Sequence, residues 1–559
     1  MRFSPLEASR WSLLAALVFA PWAFGSTRPW AKDVLAWTLI GISVLFAVGL
    51  VVRRRFPRIP IPVLILTAAI LLQGWGMTFN ARQVFDEASF SFSVIDQSSA
   101  EFPGTVDWAW SARAMFMITG LLGVLWVVCD LASHAIWRIR LARTIALTGV
   151  SIILLGLLQF STGANDIFWA GAGEKVGTFF ATYRYHANAG AFINLVLPFI
   201  AMFTVFSFRN QTGGRTFWAL ALVLAGASAF VNVSRGAMAI TVILLVAVGI
   251  WQFASWRRRS GVLAISSWMV PVAAVVVIGA AGWAFGLDQS YKKWARGGVG
   301  DIVENQRLIV YDTVWKEMMP TAGNWGLGPG TFQITFPFFT QDVYKQIPGI
   351  WRYAHQDYLQ TLVEWGWIGS LAWLLLFIGG LAMAIWRLAK NGSKLPFETR
   401  ALLLMCIFSL VGVLLHAMGD FPLQIASLRL YAICMLGICW SLGALPKPVR
   451  KELGGPGYDA EPPREASGTS ATSALLAIPV ILLVAGCSSS GDPFLGEARN
   501  HLTARQRGAV QNYAEQKQAA REAAAERLLL EQQIEAELPN FDHTPDVVPA
   551  TVPAQKPRS

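Results

Sequence analysis

The sequence predicts an all-α fold, a polytopic bundle of about twelve transmembrane helices. Two observations carry this prediction: hydrophobic residues make up 54% of the chain, and charged residues make up only 14%. A soluble domain carries about 25% charged residues, so this chain has too few charges to cover a water-facing surface of its size. Because unpaired backbone groups cannot face lipid, each span is expected to be helical.

Apolar runs long enough to cross a bilayer recur along the first 445 residues, since a span needs ~20 apolar residues. They are residues 10–26, 34–52, 59–78, 110–131, 142–160, 187–207, 216–233, 236–255, 262–286, 367–387, 400–418 and 424–444. Residues 1–445 are therefore expected to form one transmembrane core.

Lysine and arginine clusters fall on every second loop of this core. They are Arg53–Arg55 with Arg58; Arg138, Arg140 and Arg143; Arg209 and Arg215; Arg257–Arg259; Arg387, Lys390, Lys394 and Arg400; and Lys447, Arg450 and Lys451. By the positive-inside rule, both ends of the core are cytoplasmic. The formal net charge of +11 is attributed to contact with anionic lipid headgroups, and no nucleic-acid partner is predicted.

The opposite, external side then holds a long loop, residues 287–366. Loops longer than about 12–15 residues are usually functional or disordered, and this loop is rich in aromatic residues. A helical period runs through Leu308, Tyr311, Val314, Trp315 and Met318. We expect one or two helices to lie across the external mouth of the bundle.

The character of the chain changes after the core. Residues 446–473 are a linker rich in Pro, Gly and charge, and residues 474–487 are a short apolar segment that ends in Cys487. This segment is either a short thirteenth span or a lipobox-like signal in which Cys487 is lipidated. Residues 488–559 are expected to form a charged external helix and a Pro-rich tail.

Placing a polar group near the membrane plane costs free energy, so polar residues found there are candidates for function. Arg184, Arg235 and Arg307 lie on the external side, where the positive-inside rule gives no reason for them. Guanidinium groups bind phosphate bidentately and keep their charge when partly desolvated. If these three arginines converge, they could bind a lipid diphosphate. The alternative is that they only pair with lipid headgroups.

His355 is one of six histidines in the chain and lies in the long external loop just before a span. That position suits a general base, although a single histidine in an aromatic loop is ordinarily structural. Four cysteines, Cys129, Cys406, Cys434 and Cys439, lie inside apolar runs without metal-binding spacing. No metal and no cofactor is predicted.

Five short motifs in the core resemble the O-antigen ligase and polymerase superfamily over about residues 10–445. The most specific is His355-Gln-Asp-Tyr-Leu-Gln-x-x-x-Glu-x-Gly-x-x-Gly. The others are Ser234–Ala237, the Arg307 helix ending in Met-Pro, Gly326–Phe332 and His416–Leu423. One departure is Gln356, where the family usually has Asn, so a side-chain contact at that position is in doubt.

The resemblance implies a metal-independent, inverting glycosyltransferase with a membrane fold of the C type, at the periplasmic face of the bacterial inner membrane. Such enzymes transfer a glycan from undecaprenyl diphosphate to a lipid A core, a growing polysaccharide or a protein. Carried over by motif, Arg235 and Arg307 would bind the donor diphosphate, and Arg184, outside the motifs, is a further candidate for the same role. His355 would act on the acceptor hydroxyl, and Asp420, His416 and Asp357 would line the acceptor side.

Two other function classes stay open from the residues alone. A transporter or flippase of lipid-linked sugars would predict internal repeats, broken helices and charges at mid-bilayer depth, and the candidate charges instead lie at the external edge. A peptidoglycan polymerase would share a membrane fold but usually relies on an external-loop aspartate.

Overall fold

The computed structural model describes residues 4–96, 98–170, 179–232, 234–260, 306–340, 347 and 351–444. The long helices in this part of the chain are α1 (Pro5–Trp22), α2 (Pro29–Val52), α3 (Ile61–Phe79), α4 (Trp108–Leu131), α5 (Ala135–Ser161), α6 (His186–Arg209), α7 (Arg215–Val231), α8 (Arg235–Ser260), α12 (Asp357–Asn391), α13 (Phe397–His416) and α14 (Ala426–Ala444). Between α8 and α12 lie α9 (Gln306–Thr313), a π-helical turn (Val314–Met318), α10 (Met319–Ala322) and α11 (Phe332–Thr335).

Nine helices within the described ranges are long and apolar enough to cross a membrane, namely α2–α6, α8 and α12–α14. The protein is therefore an all-α polytopic membrane protein, as the composition predicted. The predicted span 262–286, the linker 446–473, the segment 474–487 and the tail 488–559 lie outside the described residues.

Three helices form the centre of the bundle. In α14, 94% of the apolar window is buried inside the protein, and in both α4 and α6 the value is 78%. The fully buried Tyr431 of α14 donates a hydrogen bond from its hydroxyl to the Leu17 carbonyl of α1 at 2.8 Å. Other helices, such as α12 with 28%, expose much of their apolar surface, as expected of helices that face lipid.

Arginines at one end of the bundle also hold helices together. Asp130, at the end of α4, is fully buried, and its carboxylate accepts hydrogen bonds from Arg55 Nη2 at 2.6 Å and Arg10 Nη2 at 3.4 Å. The backbone N–H of Arg58 donates to the same carboxylate at 3.2 Å. We call this the basic end; the loops opposite, which include residues 80–107 and 417–425, form the loop end.

A small sheet at the loop end was not predicted. Strands β1 (Gln83–Asp86) and β2 (Ser91–Val94) pair as an antiparallel hairpin inside the segment between α3 and α4. Phe92 of β2 packs on Phe338, with ring centroids 5.0 Å apart. The hairpin therefore joins the segment between α3 and α4 to the one between α8 and α12.

Glycines let that long segment approach the bundle closely. Gly328 has φ +116°, and a Cβ atom there would lie 1.9 Å from Thr105 Oγ1. The neighbouring Leu327 carbonyl accepts a hydrogen bond from Val106 N at 2.9 Å. The Gly326–Phe332 motif thus has a packing role, because any side chain at Gly328 would push the two segments apart.

Helix α12 starts earlier than the sequence indicated. The predicted span began at residue 367, whereas the helix begins at Asp357 and is interrupted at Gly366, where φ is +63°. A Cβ on Gly366 would lie 2.3 Å from the Asn324 carbonyl oxygen, and that carbonyl accepts a hydrogen bond from Ile368 N at 3.1 Å. The end of the predicted loop 287–366 is therefore a short helical arm joined to the span by a glycine.

The predicted helix after Arg307 is present as α9, the π turn and α10, but its buried face differs in part. Val314 and Met318 are buried as the periodicity suggested, whereas Leu308 and Trp315 are 44% and 52% exposed. Val310 completes the buried row. These three residues lie four apart, the spacing of one helical face, and they fix the helix that carries Arg307.

Candidate functional site

A single buried carboxylate lies at the centre of the candidate site. Asp420, in the loop between α13 and α14, is 5% exposed. Its Oδ1 lies 3.3 Å from Nδ1 of His355, and its Oδ2 lies 3.9 Å from Nη2 of Arg307. Three residues predicted from separate motifs are therefore brought together at the loop end.

Tyr185, which precedes α6, bridges two of these groups. Its hydroxyl accepts a hydrogen bond from Arg307 Nη2 at 2.9 Å and donates one to Asp420 Oδ2 at 3.1 Å. Its ring stacks on Phe421, with centroids 5.5 Å apart. Burial and the nearby Asp420 carboxylate raise the pKa of the Tyr185 hydroxyl, so it keeps the proton that it donates. Sequence reasoning missed this residue, although it stands beside Arg184.

Arg307 is held by its position on α9 and by two hydrogen bonds. Besides Tyr185, its Nη1 donates to the Gly419 carbonyl at 2.7 Å. Burial alone would lower the pKa of this guanidinium, but Tyr185 and Asp420 outweigh it and raise the pKa. The side chain stays 33% exposed, so a permanent positive charge faces the loop end next to Asp420.

The backbone at His355 adopts a conformation that is rare for a non-glycine residue. Its φ is +54°, and such strain tends to occur at functional sites. The Tyr311 hydroxyl donates a hydrogen bond of 2.6 Å to the His355 carbonyl. The imidazole lies edge-on to Trp351 and Phe421, with centroids 5.4 Å and 4.7 Å away. These contacts fix the direction of the ring.

Nδ1 of the ring lies 3.3 Å from Oδ1 of Asp420 without the geometry of a hydrogen bond. In the tautomer that carries its proton on Nδ1, the Nε2 lone pair is available to a substrate. Burial would raise the pKa of Asp420, but the adjacent His355 imidazole and the charge of Arg307 outweigh it and hold the pKa below its ordinary value of 3.8. Asp420 is thus an anion at neutral pH, next to the His355 imidazole.

A chain of hydrogen bonds supports the segment before α12. Ala354 N donates to Gln360 Oε1 at 3.2 Å, and Gln360 Nε2 donates to Glu364 Oε1 at 2.9 Å. The other oxygen of the buried Glu364 accepts from Gly330 N at 3.0 Å. The motif residues Gln360 and Glu364 therefore connect His355 to the glycine-rich segment, while Gln356 begins the helix with no side-chain capping bond.

Asp357 couples the two halves of the site. Its carboxylate accepts hydrogen bonds from Leu423 N at 2.8 Å and Gln424 Nε2 at 3.2 Å. Its own N–H donates to the Ala417 carbonyl at 3.1 Å. The residue is 2% exposed and both carboxylate oxygens are engaged within the protein, so the structure gives it a positioning contact between His355 and the Asp420 loop.

The remaining predicted residues make no direct polar contact with this centre. Arg184 and Arg235 are exposed at the starts of α6 and α8. His416, at the end of α13, is 6% exposed, and its Nδ1 has no hydrogen-bond partner. Within the described ranges, His, Cys, Asp and Glu side chains form no group of three or more that could hold a metal ion.

Taken together, these features define the class of the protein: a multi-pass helical membrane protein with a histidine–carboxylate pair and an arginine at one end of its bundle. Residues 220–374 match the family described as O-antigen ligase. This match confirms the resemblance to the O-antigen ligase and polymerase superfamily, and it includes Arg235, Arg307 and His355. The family implies glycan transfer of the ligase or polymerase type. No curated protein matches the chain.

Proposed function

We propose that this protein transfers a glycan from undecaprenyl diphosphate to a hydroxyl group of an acceptor, at the periplasmic face of the bacterial inner membrane. The observation that carries the proposal is the contact of His355 with Asp420 beside the Arg307 guanidinium. We infer the side of the membrane from the basic loops, because the positive-inside rule puts the basic end in the cytoplasm and the loop end outside.

The proposed reaction is a single displacement. The acceptor hydroxyl oxygen attacks the anomeric carbon, the bond from that carbon to the diphosphate oxygen breaks, and the anomeric configuration inverts. The hydroxyl proton passes to His355 Nε2, while Asp420 stabilises the imidazolium that forms. Arg307, with Arg235 and Arg184 at the rim, neutralises the negative charge that develops on the leaving diphosphate.

The same arrangement supports a reaction without a metal ion. A lipid diphosphate is already a good leaving group, and fixed guanidinium groups bind phosphate without a metal. The acceptor is a lipid A core, a growing polysaccharide or a protein. A transporter of lipid-linked sugars is less well supported, because Arg307, His355 and Asp420 lie in the segments between the spanning helices.

The proposal is tested with the purified full-length protein in liposomes, supplied with the undecaprenyl diphosphate glycan and acceptor of its host. We expect release of undecaprenyl diphosphate and glycosylation of the acceptor, both unchanged by EDTA. Arg307→Ala is expected to abolish release, whereas Lys316→Ala, on the exposed π turn, serves as the control. Loss of activity in EDTA would contradict metal independence, and full activity of Arg307→Ala would contradict the role of the guanidinium.

A further inference from the structure

An unpaired amide lies beside the Arg235 turn. Asn232, at the end of α7, is 3% exposed, and neither its Oδ1 nor its Nδ2 has a hydrogen-bond partner. Leaving a buried polar group unpaired is destabilising, so such groups in a native protein call for an explanation. A ligand that arrives next to them is one explanation.

The amide lies between the first turns of α6 and α8. A Cβ on Gly190 of α6 would lie 2.7 Å from Asn232 Nδ2 and 2.3 Å from the Cβ of Ala237. The absence of a side chain at Gly190 therefore makes room for Asn232 at the loop end. Arg235, exposed three residues further along the chain, lies at the edge of this junction.

A second unpaired group lies at the same depth. Ser409 of α13 donates a hydrogen bond to the Leu195 carbonyl of α6 at 2.8 Å. The two helices run in opposite directions, so two turns further out His416 lies level with Asn188. His416 Nδ1 is buried and lacks a hydrogen-bond partner. His416 on α13 therefore lies at about the depth of Asn232, whose neighbours on α6 and α8 are Gly190 and Ala237.

The unpaired atoms of Asn232 indicate the chemistry of the ligand. Phosphate oxygens are acceptors at neutral pH, so a phosphate would pair with the amide N–H groups but be repelled by the amide oxygen. A hydroxyl or acetamido group both donates and accepts, and it matches both atoms. In the proposed function the arginines bind the diphosphate, which leaves the neutral amide for the sugar bonded to it.

We propose that the Asn232 amide, beside Arg235 at the junction of α6 and α8, binds hydroxyl or acetamido groups of the sugar residue attached to the donor diphosphate. This inference rests on the proposed function and adds to it a sugar-recognition site separate from His355. It predicts that the site distinguishes undecaprenyl diphosphate that carries a glycan from undecaprenyl diphosphate without one.

The test compares two ligands, bare undecaprenyl diphosphate and the undecaprenyl diphosphate glycan of the host, by their dissociation constants for the full-length protein in nanodiscs. Asn232→Leu keeps the volume of the side chain but removes both polar atoms. We expect it to weaken binding of the glycan-bearing lipid about tenfold, the value of one lost hydrogen bond, and to leave bare undecaprenyl diphosphate unaffected. Arg307→Lys should weaken the binding of both ligands.

The matched control is Gln159→Leu. Gln159 of α5 is likewise buried with both amide atoms unpaired, so its replacement reports the general effect of removing such an amide. Equal weakening of both ligands by Asn232→Leu, no weakening of either, or the same pattern in Gln159→Leu would overturn the sugar-recognition site while the proposed function stands. Failure of the unaltered protein to bind either ligand would overturn both.

Discussion

Nδ1 of His355 and Oδ1 of Asp420 lie 3.3 Å apart, although one residue precedes α12 and the other follows α13. The contact depends on Asp357, which joins these two segments through Leu423 N and the Ala417 carbonyl. A histidine that bears its proton on Nδ1 presents Nε2 to a substrate, which is the geometry of a general base held by a carboxylate.

Asp420→Asn tests whether the charge of this carboxylate supports the reaction. The amide keeps the size of the side chain but cannot stabilise the imidazolium, so we expect kcat to fall by roughly 10²-fold with little change in donor KM. Initial rates of undecaprenyl diphosphate release measure this effect. Asp312→Asn, an exposed acid on α9, is the control, and equal rates for the two variants would contradict the role of Asp420.

The stability contributed by Asp420 is expected to depend on pH. Its pKa in the folded protein lies below the ordinary value of 3.8, so the stabilisation is fully present above that value and is lost as the pH falls through the folded pKa. The difference in melting temperature between the unaltered protein and Asp420→Asn should shrink as the pH falls below 3.8. A difference that grows as the pH falls below 3.8 would contradict a lowered pKa of Asp420.

Tyr185→Phe tests the bridge between Arg307 and Asp420. Loss of the hydroxyl removes two hydrogen bonds, one of them to a cation, and each such bond contributes ~1–3 kcal/mol. We expect a rate lower by about tenfold or more, with the protein still folded. Tyr183→Phe is closely matched, because its buried hydroxyl pairs with Ser427 at 3.2 Å, away from the site. A similar loss in both variants would point to folding alone.

Gly366→Ala is expected to destabilise the protein by at least ~2 kcal/mol. Its φ of +63° is costly for any side chain, and the new Cβ would overlap the Asn324 carbonyl. The measurement is the melting temperature in detergent. Gly76→Ala, in α3, meets no atom within 4 Å and should not lower it, since alanine favours a helix over glycine. Equal melting temperatures for Gly366→Ala and Gly76→Ala would contradict the requirement for glycine at the break in α12.

Local patterns predicted the spanning helices well, because a run of ~20 apolar residues leaves no alternative to a helix in lipid. The motif residues Arg307, His355 and Asp420 were also named from the sequence. Their mutual contact was not, because it depends on how three distant segments fold over the bundle. Tyr185 escaped notice because a tyrosine at a span end is ordinarily an interfacial anchor.

Asp357 shows a different limit of sequence reasoning. A carboxylate beside His355 suggested the acceptor side, but the structure buries it against Leu423 N and Gln424 Nε2. Whether an acid faces a substrate or a backbone N–H depends on the neighbouring loop, which the spacing of residues does not encode. The unpredicted hairpin of β1 and β2 has a similar cause, because strands of four residues carry little periodic signal.

The most direct test of the central claim is the rate of undecaprenyl diphosphate release by His355→Ala, compared with His134→Ala at the basic end. Both proteins are to be reconstituted in liposomes with the donor and acceptor of the host. We expect His355→Ala to lower the rate by at least ~10²-fold, the usual contribution of a general base, and His134→Ala to match the unaltered protein. A His355→Ala rate within about twofold of the unaltered protein, well below that contribution, would contradict the account.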